Sequence, residues 1–167
     1  MKRVCLLITA VIMTALLFSA CVGEKIDDLS SMKNFWEEHR DELETTAKEM
    51  REQGIEFFIQ GVPLKIENGR NQKVENVSYS DAMRTIVDLC RYPRLDAQFG
   101  WYYGSEPFFT GGDGYFYVAS RETSNEYGEK ISFLLVFSEN PVSEIDPYTT
   151  YEDLGGGWLL VTEHLGE

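Results

Sequence analysis

The chain has 167 residues, with 15 Lys and Arg against 28 Asp and Glu, and a formal net charge of −13. That length suits one domain with a core of its own, and 43% apolar with 13% aromatic residues excludes a disordered acidic tail. Nucleic acid is excluded as a partner, because no basic surplus exists to displace counterions from phosphates.

The N-terminus reads MKRVCLLITAVIMTALLFSAC. Lys2 and Arg3 supply a positive start, Val4 to Phe18 is an uncharged apolar run, and small Ser19 and Ala20 precede Cys21. Positive charge followed by an apolar run is the physical recipe for a secretory signal peptide. Phe18-Ser19-Ala20-Cys21 is similar to the lipobox of bacterial lipoproteins, with Leu17 one position further back than usual. An uncleaved anchor is the competing reading, but the run is short for a membrane span; ordinary secretory cleavage is another. The expectation is a signal peptide over 1–20, lipid attachment at Cys21, a polar tether over 21–28 and a single domain over 29–167. The mature chain then has 13 basic against 28 acidic residues, a net −15. Two or three acyl chains hold such a protein on a membrane where one does not. Cys5 leaves with the signal peptide and Cys21 carries lipid, so Cys90 is the remaining thiol and no intramolecular disulfide can form.

Leu29, Met32, Trp36, Leu43, Ala47 and Met50 form an apolar stripe at helical spacing, with Phe35 beside it. This predicts an amphipathic helix from about Ser31, as N-cap, to Gln53, with Gly54 as the stop and a bend near His39-Arg40-Asp41. Ile55 to Ile66 alternates like a hairpin turning at Gln60-Gly61, and Pro63 points to an edge strand. Asn68-Gly69 marks a second turn, and residues 70–77 are a short strand or a loop. A second helix is expected at about Ser80 to Arg91, with Met83, Ile86, Val87 and Cys90 on one face and Ser78 or Ser80 as its cap.

After Pro93 the pattern becomes strand-like: Gln98–Tyr103, Tyr115–Arg121, Lys130–Ser138 and Gly157–His164. Residues 131–137 are apolar on both faces and predict the central strand. Glu122–Glu129 closes a hairpin, and Asn140–Gly156 reads as a long loop. The fold class is α+β, with two helices packed on one face of a mostly antiparallel sheet.

The lipobox, the acidic helix Phe35-Trp-Glu-Glu-His-Arg-Asp-Glu-Leu43, a second short helix and a closing sheet together resemble small lipoproteins of Gram-positive gut and soil bacteria. The resemblance implies an extracytoplasmic, lipid-anchored location. It supplies no activity and no catalytic residues. Val22 after the lipid cysteine resembles the pattern of outer-membrane sorting, which matters only in a diderm host.

Phe99 to Tyr117 holds 9 of the mature chain's 21 aromatics, interleaved with glycines. Exposed Trp and Tyr offer flat amphipathic surfaces to a sugar ring or peptide. The candidate ligand-contacting residues are Trp101, Tyr102, Tyr103, Tyr115 and Tyr117, although adjacent aromatics on a strand must point to opposite faces. Ordinary strand packing is the competing explanation. Glu37, Glu38, Asp41, Glu42 and Glu44 read as a solvated helix face. Glu139, Glu144, Asp146, Glu152 and Asp153 match no calcium loop. His39 and His164 form no zinc-ligand spacing, and Cys90 sits on an apolar face as a small hydrophobe rather than a nucleophile. Neither a catalytic motif, a metal site nor a cofactor is expected. The predicted function is non-enzymatic binding of an envelope glycan, peptide or protein. The alternative is an immunity or inhibitor lipoprotein that blocks a basic toxin or enzyme, and a carboxylate hydrolase ranks last.

Overall fold

In the computed structural model, which describes residues 28–91, 95, 97–102, 114–120, 122–124, 130–138 and 150–165, the apolar stripe forms helix α1, Leu29–Glu52. The expected signal peptide, Cys21 and nearly all of the expected tether lie outside the described residues. Asp28, not Ser31, is the N-cap: its Oδ1 accepts from both the backbone N–H and the hydroxyl of Ser31 at 2.6 Å. A carboxylate satisfies the orphan helix donors and also favours the positive helix end. The Ser31 side-chain and backbone bonds hold the Asp28 carboxyl below the ordinary carboxylate range. At His39 the backbone leaves helical geometry (φ −125°, ψ 18°), which places the expected bend at that residue. Helix α2, Asp81–Cys90, is capped by Ser80, whose hydroxyl accepts from Met83 N at 3.1 Å.

The strands are β1 Phe57–Ile59, β2 Val62–Glu67, β3 Arg70–Lys73, β4 Gln98–Tyr102, β5 Tyr115–Ala119, β6 Thr123–Ser124, β7 Lys130–Phe137, β8 Thr150–Gly155 and β9 Trp158–Leu165. They form one sheet in the order β3-β2-β1-β4-β5-β7-β9-β8, with β6 also on β7, and every pairing among the described residues is antiparallel. Both helices lie on the same face, α1 against β4, β7 and β9 and α2 against α1. The fold is α+β, with the doubly apolar β7 in the sheet interior between β5 and β9.

Two expectations change. β8 lies inside the stretch 140–156 that reads as loop, and it joins β9 through a turn in which Gly155, Gly156 and Gly157 all have positive φ. β2 is not an edge strand, because β3 pairs outside it. Pro63 is tolerated because its carbonyl accepts from Val74 N at 3.0 Å, just past the end of β3. N–H and C=O of one strand residue point the same way, so the missing donor removes no bond to β1.

The core lies between helices and sheet. Met32, Leu43, Ala47 and Met50 of α1 and Met83 and Ile86 of α2 pack with Phe99, Trp101, Phe116, Leu135, Trp158 and Leu160 of the sheet. Gly100 faces away from the helices. A Cβ there would lie 2.5 Å from Glu56 O and 2.7 Å from Phe57 Cβ, so β4 and β1 approach each other as closely as they do only with glycine at this position. Gly100→Ala is expected to destabilise the fold by about 1–3 kcal/mol through overpacking. Urea titration checks this: the midpoint falls while the m-value stays constant.

Candidate functional site

The strand period of two divides the aromatic segment between the two faces of the sheet. Trp101 points to the helices and is 5% exposed. Its indole N–H donates to Ala47 O of α1 at 2.8 Å, and the Arg51 guanidinium lies 4.0 Å from the ring centroid. Trp101 is therefore a core and helix-docking residue, and this corrects its assignment as a ligand contact. A buried indole with its donor satisfied offers no flat platform to a sugar.

Tyr102, Tyr115 and Tyr117 lie on the face opposite α1 and α2. Tyr102 and Tyr115 are register partners with ring centroids 5.2 Å apart. Tyr115 is buried, together with Val136, Leu159 and Val161, while Tyr102, Tyr117 and Leu134 pack half-buried against that cluster. Burial pushes the Tyr117 hydroxyl above the ordinary tyrosine range. Tyr103 lies outside the described residues.

The register continues this face across the sheet. Leu64, Phe57, Gly100, Tyr117, Val136 and Leu159 are successive neighbours on β2, β1, β4, β5, β7 and β9. Toward the β2 side the face opens to solvent, with Ile59 47%, Val62 40% and Ile66 55% exposed and Phe57 and Leu64 half-buried between them. These hairpin residues are the part of the surface that the reading from sequence missed. Their alternation was visible, but nothing in it showed that the helices would cover the other face.

The remaining titratable groups bring no catalytic arrangement together among the described residues. Cys90 is buried, and burial pushes its thiol up to about 12, so almost no thiolate exists near neutral pH. His39 is half-buried against Phe35, with ring centroids 5.2 Å apart, rather than on the outer surface. Glu44 is not simply solvated: its Oε1 accepts from Arg40 Nε at 2.9 Å and from the indole N–H of buried Trp158 at 3.1 Å. Glu152 and Asp153 lie on β8 rather than in a loop; Glu152 pairs with Lys33 of α1, and Asp153 accepts from Gly155 N. Among the described residues no group of three or more His, Cys, Asp or Glu side chains is placed to hold a metal ion. No helix among them is long and apolar enough to cross a membrane.

Comparison with protein-family models, with curated proteins and with solved structures finds no match.

In a Cys5→Ser/Cys21→Ser variant, where Cys90 is the remaining thiol, a water-soluble disulfide reagent at pH 8 is expected to react only on unfolding. The sign of the pH effect follows from the raised value. Above the ordinary 9.0 the unfolded chain loses this proton while the folded chain keeps it, so stability falls from pH 9.0 toward about 12. Denaturation midpoints measured across that range check the direction.

Proposed function

We propose that this chain is a lipid-anchored, non-enzymatic binding protein of the cell envelope, attached through Cys21, that docks a protein partner on the sheet face opposite α1 and α2. The observation that carries the docking reading is the exposed row Ile59, Val62 and Ile66, continuous with half-buried Phe57, Leu64 and Tyr117. A contiguous apolar surface of this kind marks an interaction site when polar residues rim it. On that face the β3 neighbours of Leu64 and Ile66 are Lys73 and Asn71, and Asp153 and Glu163 lie toward the other edge. The partner is therefore read as a protein with an apolar centre, and the net charge of −15 left once Lys2 and Arg3 are removed steers a basic one toward the surface. A basic toxin or enzyme satisfies the same chemistry, and in that case the protein is its inhibitor. A glycan is less well served, because Trp101 is engaged with α1.

The anchoring claim rests on the N-terminal sequence and has its own test. Cys21→Ser is expected to move the protein out of the membrane fraction of a lipoprotein-processing bacterium and to abolish labelling by a fatty-acid probe; retention with labelling contradicts it. For docking, both Val62 and Ile66 are exposed, so Val62→Lys/Ile66→Lys is expected to leave the melting temperature nearly unchanged. Cross-linking in intact cells should then lose a basic protein that the unaltered chain captures and that dissociates as salt rises. The same species captured in equal yield by both forms contradicts the reading.

A further inference from the structure

A cavity of about 420 Å³ lies at one end of the sheet, between the C-terminus of α2, the β1–β2 turn and the strand ends of β4 and β5. That volume falls within the usual range for small-ligand sites, roughly 300–1,000 Å³. Its apolar lining includes Phe58 and Phe99, whose rings stack 4.9 Å apart at 16°. Ser120, Ser132 and Gln98 also line it; the Ser120 hydroxyl accepts from Phe133 N at 2.9 Å and the Ser132 hydroxyl donates to Glu163 Oε2 at 3.2 Å. Two charged groups complete the lining, Arg91 just past α2 and Glu122 just past β5.

These charges stand on different sides. The Arg91 side chain packs against the β1–β2 turn, with Nη1 3.6 Å from where a Cβ on Gly61 would lie. Glu122 follows β5, and β5 is separated from β1 by β4. Two strand spacings amount to about 10 Å. A peptide spans up to roughly 3.5 Å per residue, so two or three residues bridge that gap. Each charge now has an exposed partner: Arg91 Nη2 lies 3.7 Å from Asp88 Oδ1, and Lys130 Nζ lies 2.8 Å from Glu122 Oε1. Pairs at such exposure contribute little, so exchanging them for a ligand's ends costs little.

From this arrangement we infer that the cavity is a binding site for a short zwitterionic peptide. Arg91 receives its carboxylate, Glu122 receives its ammonium, and an apolar side chain lies against Phe58 and Phe99. The cavity adjoins the docking row at Ile59, which belongs to both, whereas Val62 and Ile66 do not line it.

Calorimetric titration with alanyl-phenylalanine, its N-acetyl form and its C-terminal amide tests the assignment on the full domain. The free dipeptide is expected to bind saturably, and each blocked form to bind about tenfold more weakly or worse. Glu122→Gln should bind the free and N-acetylated peptides equally, and Arg91→Gln should no longer distinguish the free peptide from the amide. Val62→Lys/Ile66→Lys should bind the dipeptide normally, whichever way the docking experiment comes out. Absence of saturable binding by the unaltered protein overturns the inference. So do losses on blocking that persist equally in both charge variants.

Discussion

Everything else in this structure depends on how α1 lies across one face of the sheet. The helix begins near β8, where Lys33 meets Glu152, and reaches β4, where Ala47 O accepts from the Trp101 indole. Between those points Glu44 accepts from Trp158, whose side chain is fully buried. Each buried apolar side chain contributes on the order of 1.5–3 kcal/mol, and each satisfied indole donor adds about 1 kcal/mol net. The hydrogen bonds matter more for orientation than for energy. An indole buried without an acceptor would cost more than the bond gains, so the helix is held at one crossing position. With α1 and α2 on one face, no helix of the described residues lies on the opposite face, where Tyr115, Val136, Leu159 and Val161 are nonetheless buried.

On the proposed function, this asymmetry would separate anchorage from recognition. At 1.5 Å per residue, the 24 residues of α1 extend about 36 Å. If Cys21 holds the lipid, the bilayer lies beyond the N-terminal end of α1, near β8. The exposed hairpin β1–β2 and the cavity beside it then sit toward the other edge of the sheet. Both are placed where a partner or ligand meets them away from the headgroups. The close β1–β4 approach at Gly100 keeps that hairpin joined to the rest of the sheet.

Much of the fold was legible from local chemistry. Helix periodicity placed both helices within about three residues, Gly54 and Ser80 marked a stop and a cap, and strand alternation placed β1, β2, β4, β5, β7 and β9. What local chemistry does not carry is which face of an element meets which neighbour. The sequence shows that Trp101 and Tyr102 point opposite ways, but only the crossing of α1 sends Trp101 into the core and Tyr102 out of it. β8 was hidden because Thr150-Tyr-Glu-Asp-Leu-Gly155 is charged and glycine-bounded, the chemistry by which an edge strand avoids unwanted pairing. Glu44 reads as one more surface acid until Trp158, 114 residues away, is brought beside it. The docking row was missed for the same reason: Ile59, Val62 and Ile66 look like core positions until the helices are seen on the other side.

Hydroxyl-radical footprinting of the purified domain, read residue by residue by mass spectrometry, tests this division of the sheet most directly. Ile59, Val62 and Ile66 are expected to be modified readily while Trp101 and Trp158, intrinsically far more reactive, stay protected until the protein unfolds. Rapid oxidation of Trp101 in the folded protein, with the three hairpin residues protected, would place the working surface on the other face and contradict the account.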